Sequence, residues 1–75
     1  MVVASFPKNG SEEVRAQLGE YRGRSVASLW VFAVTRNGDS VPTKHGLSLA
    51  VESLPALEEA VRALREAAKH PASFA

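Results

Sequence analysis

Two kinds of hydrophobic spacing divide this chain of 75 residues near residue 50. Before that point, short apolar runs alternate with turn residues, and two Asn-Gly pairs, Asn9-Gly10 and Asn37-Gly38, stand between segments of strand character. Asn-Gly is a strong hairpin signal, because both central positions of a type I′ turn need a positive φ and these two residues tolerate it. We therefore predict two hairpins joined by a turn at Glu20–Gly23: Val2–Phe6 with Glu13–Leu18, and Arg24–Arg36 with Asp39–Leu49.

From Leu54 onward, apolar residues recur at intervals of three and four, and charged residues fill the other face of a helix. The apolar stripe consists of Leu54, Leu57, Val61, Leu64 and Ala68. The N-cap is Ser53 or Leu54, depending on whether Pro55 is the second or the first helical residue. We expect an α+β fold, a four-stranded antiparallel curved sheet followed by one C-terminal helix (ββββα), in a single domain over residues 1–70 with a frayed tail at 71–75.

The third strand is apolar on both faces. Its side chains alternate between two sets, Val26, Ser28, Trp30, Phe32 and Val34 on one side and Ala27, Leu29, Val31 and Ala33 on the other. One helix covers only one face of such a sheet, so the other face needs a second copy of the chain, a ligand or both. Pro42 lacks an N–H inside the fourth strand, and we expect a break there.

Two alternatives stay open at this point. Trp30 and Phe32 are either core residues under the helix or part of a binding surface. The helical stripe packs on the protein's own sheet, on a partner helix, or on both in a dimer.

The small size of the chain favours a dimer. A single core below roughly 70–80 residues supplies only about 3–5 kcal/mol, and such chains usually add disulfides, metals or a second subunit. The chain has no cysteine and only two histidines, which leaves oligomerisation and argues against a metal or other cofactor. No apolar run reaches the roughly 20 residues of a membrane span. We expect a cytoplasmic homodimer with no membrane partner.

Charge changes the picture only slightly. The net charge is +1, which is low for a nucleic-acid-binding domain. The first 50 residues carry a balance of +2 and the last 25 a balance of −1, so a phosphate-facing surface is expected in the first two-thirds of the chain.

Two stretches carry a resemblance to a known family. They are Glu20-Tyr21-Arg22-Gly23-Arg24 and, some twenty residues on, Pro42-Thr43-Lys44-His45-Gly46-Leu47-Ser48-Leu49. In order and spacing the chain resembles the positive cofactor four family of transcriptional coactivators, from about Val2 to about Leu64. That resemblance implies a homodimer of ββββα protomers whose sheets hold single-stranded DNA, or RNA, in transcription or genome maintenance. It implies transcription machinery as a further partner and, in a bacterium, association with the nucleoid.

The resemblance also implies site residues. Tyr21 matches a base-stacking position, and Arg22, Arg24 and Lys44 match backbone contacts; aromatic stacking tolerates any sequence, and cations add a salt-dependent phosphate term. Lys8 and Arg15 are additional candidates from the first hairpin. Leu57, Val61 and Leu64 are candidates for the dimer interface.

The chain departs from the family pattern at three positions. His45 replaces a lysine and is a weaker phosphate partner near neutral pH. Trp30 replaces an arginine and Ala33 an aromatic residue, and we expect Trp30 to take over the base stacking that Ala33 cannot perform.

Catalysis finds little support, because a general base or nucleophile needs an oriented partner, and Ser48 with His45 has no third member. We expect no enzyme. Two hypotheses remain: a single-stranded-nucleic-acid-binding factor, and a dimeric protein-interaction module of the same fold. Whether Tyr21, Arg22, Arg24, Trp30 and Lys44 share one exposed groove discriminates between them.

Overall fold

A computed structural model describes residues 1–70 as one sheet followed by one helix. The elements are β1 (Val2–Asn9), β2 (Glu12–Tyr21), β3 (Arg24–Val34), β4 (Ser40–Ala50), a 3-10 turn (Val51–Ser53) and α1 (Leu54–Ala68). The strands lie in the order β1-β2-β3-β4, and each neighbouring pair is antiparallel. The predicted α+β architecture is therefore confirmed, and the predicted tail at 71–75 lies outside the described residues.

The turn chemistry differs from the prediction. The hairpins close where the Asn-Gly pairs stand, but Asn9, Gly10 and Asn37 do not have a positive φ. Asn9 instead accepts a hydrogen bond from the Ser11 backbone N–H at 2.9 Å, an Asx turn that competes with the type I′ geometry.

The two-residue turn with positive φ at both central positions lies between β2 and β3. Arg22 has φ 52° and Gly23 has φ 78°, between the paired residues Tyr21 and Arg24. A type I′ turn matches the right-handed twist of the strands, so this connection closes the long central hairpin without splaying it.

The two faces of the sheet differ in what covers them. One, the helix-side face, forms an apolar pocket with Leu54 and Leu57 of α1; it comprises Ala16, Leu18, Ala27, Leu29, Leu47 and Leu49. The other, the open face, comprises Glu13, Arg15, Gln17, Gly19, Tyr21, Arg24, Val26, Ser28, Trp30, Phe32, Pro42, Gly46, Ser48 and Ala50. Trp30 and Phe32 lie on the open face, so they are not core residues under the helix.

Strand β4 is broken as Pro42 predicts. Phe32 pairs with Pro42 and Trp30 pairs with Gly46, so Val31 alone stands opposite three residues, Thr43, Lys44 and His45. This segment is a β-bulge with two extra residues, and we refer to Thr43–His45 as the β4 bulge.

The protomer has no buried core of its own. Within residues 1–70 no side chain is buried, and Leu54 and Leu57 are only half-buried by the contact between α1 and the sheet. Val61 is 45% exposed and Leu64 is 68% exposed. The apolar stripe of α1 thus packs on the sheet at its N-terminal end and faces outward further along the helix.

Candidate nucleic-acid interface

One end of the open face is built by the turn between β2 and β3. Tyr21 is the last residue of β2 and is 65% exposed. The Arg22 guanidinium carbon lies 5.3 Å from the centre of the Tyr21 ring, within cation–π range. Arg24 pairs with Tyr21 across the turn. This end therefore combines an exposed aromatic ring with two cations.

The opposite end holds Trp30, Phe32 and Arg15. The Arg15 guanidinium carbon lies 4.2 Å from the centre of the Phe32 ring, and its Nε donates to Oε1 of Glu13 at 2.5 Å. Arg15 is thus already engaged by an aromatic face and a carboxylate, which reduces its value as a phosphate contact. Phe32 was named with Trp30 as core or binding surface, but it was missing from the site residues named as binding candidates, although its place two residues after Trp30 on the same strand face could have indicated it.

Trp30 contacts two residues of β4, Thr43 and Gly46. It is half-buried, and its Nε1 donates a hydrogen bond to the Thr43 carbonyl oxygen at 2.7 Å. The ring lies directly against Gly46, where an added Cβ would come within 2.4 Å of the Trp30 Cε3 atom. The absence of a Cβ at Gly46 therefore leaves the space that the indole ring occupies on the sheet.

The two ends are separated along the strands. Arg24 and Trp30 are six residues apart on β3, which corresponds to roughly 20 Å. Between them the Ser28 and Ser48 hydroxyls lie 3.0 Å apart. Ser48 thus pairs with Ser28, and the predicted residues Tyr21, Arg24 and Trp30 follow one face as a long track.

The remaining cations fall into two groups. Lys44 and His45 lie in the β4 bulge and are exposed. Lys8 donates a hydrogen bond to Glu12 at 3.2 Å and forms an ion pair with this carboxylate.

Glu12 lies close to two of these cationic side chains, Lys8 and His45. The hydrogen bond that the Asn9 side chain donates at 2.8 Å is the largest cause that lowers the pKa of the Glu12 carboxyl. The hydrogen bond from Lys8 is the second. The positive charges of Lys8 and His45 contribute in the same direction. Glu12 pairs with Ala33, which is on the helix side of β3, so His45 acts on a carboxylate away from the open face.

Trp30 and Ala33 do not occupy equivalent places on the sheet. β3 runs without a bulge opposite β2, so residues 30 and 33 point to opposite faces of the sheet. Trp30 shares the open face with Arg15 and Phe32, whereas Ala33 lies on the helix side. Base stacking by Trp30 would therefore take place on the other face of the sheet from position 33, and it stays a prediction.

In the part of the chain that the structure describes, no three His, Cys, Asp or Glu side chains come together as metal ligands. Over residues 1–70 the helix is too short and too polar to cross a membrane.

A four-stranded antiparallel sheet and one C-terminal helix, with aromatic and basic residues at the ends of the open face, define a small α+β domain. The profile of the family described as Transcriptional Coactivator p15 (PC4) matches residues 8–60. The chain belongs to this family, the positive cofactor four family.

Solved structures agree with this assignment. A PC4 homologue from Burkholderia pseudomallei, in a tetragonal crystal form, is 28% identical with a TM-score of 0.79, covering 87% of this chain and 96% of that one. Its orthorhombic form gives 28% identity and a TM-score of 0.73, covering 93% and 90%. A bacteriophage T5 homologue of the eukaryotic transcription coactivator PC4, implicated in recombination-dependent DNA replication, shares the fold at 21% identity and a TM-score of 0.65, covering 92% and 77%. No curated protein matches the chain in sequence.

The contact between Trp30 and Gly46 makes a direct prediction. Gly46→Ala places a methyl group 2.4 Å from Trp30 Cε3 and 2.7 Å from the Leu29 carbonyl oxygen, at a backbone φ of 156°. We expect a loss of about 1–3 kcal/mol in the free energy of unfolding, measured by urea titration. Gly19→Ala is the matched control, because nothing lies within 4 Å of its added Cβ. Equal stability of the two variants would contradict the packing of Trp30 on Gly46.

Proposed function

We propose that this protein is a homodimer that binds single-stranded DNA along the open face of its sheet, without strong sequence preference. Single-stranded RNA is a second ligand of the same chemistry. The observation that carries the proposal is the exposed Tyr21 ring beside Arg22 and Arg24 at one end of this face, in a chain of the positive cofactor four family.

The chemistry of the open face fits an unpaired strand. Bases without partners offer flat faces that stack on aromatic rings, at about 1–3 kcal/mol per base, and phosphates attract lysine and arginine. Tyr21 and Trp30 are the proposed stacking rings. Arg22, Arg24 and Lys44 are the proposed phosphate contacts, with His45, Lys8 and Arg15 as weaker ones because an imidazole is a weaker phosphate partner than a lysine and the other two have acidic partners.

The length of the track also favours a strand over a small molecule. Roughly 20 Å between Arg24 and Trp30 spans several nucleotides. A duplex presents its bases edge-on inside the helix, so their faces are not available to Tyr21 and Trp30. We therefore expect a preference for single strands over duplex.

A dimer is proposed because no side chain of the described residues is buried in the protomer. The chain exposes 6048 Å², whereas a folded monomer of 8.0 kDa is expected to expose about 4,500 Å². The difference exceeds the roughly 800 Å² that each partner buries in a standard interface. Leu57, Val61 and Leu64 on α1 are the proposed contact residues, since Val61 and Leu64 face outward in the protomer.

One observation favours the protein-interaction alternative. Arg15 and Lys8, two of the proposed contacts, are neutralised by Glu13 and Glu12. A surface whose cations are paired in this way attracts phosphate weakly and suits a polar protein partner. The binding experiment below separates the two functions.

The test is a titration of a labelled oligothymidine of about 20 nucleotides, followed by fluorescence anisotropy, at several salt concentrations with the matching duplex as competitor. We expect binding that weakens as salt rises, with a slope of about −0.7 per phosphate contact for a single strand. We expect poor competition by duplex. No binding at low salt would contradict the proposal and favour the protein-interaction module.

A further inference from the structure

The β4 bulge is closed by side chains instead of by the sheet ladder. Bulges leave backbone groups unpaired and bend the strand. Here the Thr43 hydroxyl donates to the Val31 carbonyl oxygen at 2.8 Å and accepts from the His45 backbone N–H at 3.1 Å. One threonine side chain thus connects β3 to both ends of the three-residue bulge.

Trp30 completes this closure from the open face. Its Nε1 donates to the Thr43 carbonyl oxygen at 2.7 Å, while its ring rests on Gly46 immediately after the bulge. Both the hydroxyl and the carbonyl oxygen of Thr43 are therefore bonded, and Thr43 is half-buried between exposed neighbours. The bulge is held in one conformation by Thr43 and Trp30 together.

The residue that this closure presents is Lys44. Lys44 is exposed, and within residues 1–70 it has no acidic ion-pair partner, in contrast to Lys8 and Arg15. A lysine on a flexible backbone loses more conformational entropy on binding a phosphate than one whose backbone is already fixed. Fixing the bulge therefore strengthens the contact that Lys44 makes.

We propose that Thr43 and Trp30 are positioning residues that hold the β4 bulge so that Lys44 contacts a phosphate of the bound strand. The inference rests on the proposed function and adds to it a role for Thr43, which is not among the proposed nucleotide contacts. It also gives Trp30 two separable roles, because its ring is available for stacking while its Nε1 holds the bulge.

The test measures the salt dependence of oligothymidine binding in a double-mutant cycle. Lys44→Gln removes one cation, so we expect the slope of log K against log salt to become shallower by about 0.7. Thr43→Val keeps the shape of the side chain and removes the hydroxyl, and we expect a similar loss. The Thr43→Val, Lys44→Gln double variant should lose no more than Lys44→Gln alone, because both changes remove the same contact.

A matched control removes a threonine hydroxyl elsewhere in the same hairpin. The Thr35 hydroxyl accepts from the Asp39 backbone N–H at 3.2 Å in the turn between β3 and β4. We expect Thr35→Val to leave the salt slope unchanged. Trp30→Phe keeps a stacking ring but lacks Nε1, and we expect it to make the slope shallower as Thr43→Val does, which keeps the test decisive if Thr43→Val does not fold.

The outcomes separate this inference from the proposed function. If Thr43→Val and Trp30→Phe keep the wild-type salt slope, the positioning role is overturned although the wild-type protein still binds. It is also overturned if their losses add to the loss in Lys44→Gln. If the wild-type protein binds no oligothymidine at low salt, the proposed function itself fails and the positioning role with it.

Discussion

Replacing Tyr21 and Trp30 together by alanine is expected to weaken oligothymidine binding by about 30-fold to 10⁴-fold. Each ring is the proposed platform for one base, and stacking contributes about 1–3 kcal/mol per base, so two platforms account for about 2–6 kcal/mol. The rings lie at opposite ends of the open face, roughly 20 Å apart, so their losses should be nearly additive. Anisotropy titrations of both single variants and the double variant measure these values.

Aromatic replacements are the controls for this result. Tyr21→Phe keeps the ring and loses only the hydroxyl, so its affinity should stay close to that of wild type. Because Trp30 also supports the β4 bulge, Trp30→Phe and Trp30→Ala must be compared, and the additional loss in the alanine variant reports stacking. An undiminished affinity in the Tyr21→Ala, Trp30→Ala double variant would rule out base stacking on this face.

The second large effect is expected at the dimer interface. Leu64 is 68% exposed in the protomer, so Leu64→Glu should leave the protomer fold intact and place a carboxylate in the proposed interface. A two-fold interface contains the substitution twice, and the loss of two buried leucines at about 1.5–3 kcal/mol each weakens the dimer at least about 100-fold. Sedimentation velocity over a range of protein concentrations measures this change.

The same helix supplies a matched control for this prediction. Ala63 adjoins Leu64 but lies about 100° away around α1, outside the stripe of Leu57, Val61 and Leu64, so Ala63→Glu should leave the dimer unchanged. If Leu64→Glu assembles as the wild-type protein does, the proposal that α1 forms the dimer interface is contradicted. Dissociation of both variants to the same extent would indicate a general effect of charge on the helix.

The order of the elements could be predicted because it depends on spacing within single segments. The helix begins at Leu54, where the apolar period changes from two to three and four, and the break in β4 begins after Pro42, the residue without an N–H. These signals are local, and long-range packing does not override them.

Turn geometry could not be predicted from residue preference alone. Asn-Gly indicated type I′ turns, yet the Asn9 side chain bonds to the Ser11 backbone and stabilises another turn. Two consecutive positive φ values occur at Arg22 and Gly23, where the two-residue length of the loop imposes one of them on an arginine. Register between strands decides the turn here, and register is not visible in one segment.

The site was only partly predictable for the same reason. Family resemblance supplied Tyr21, Arg22, Arg24 and Lys44, and their use in binding stays a prediction. The Lys8–Glu12 pair depends on the turn that joins β1 to β2, whereas Glu13 and Arg15 are neighbours on one face of β2. The contact of Trp30 with Gly46 depends on the bulge, which brings residues 16 apart in sequence face to face.

The measurement that tests the central claim most directly is the fluorescence of Trp30 during titration with unlabelled oligothymidine. Trp30 is the single tryptophan of the chain, so its emission reports only on the open face. We predict a saturable change in emission that follows the same binding curve as anisotropy and is reversed by salt. Binding by anisotropy with unchanged Trp30 emission at saturation would show that the strand lies elsewhere, and would contradict the account.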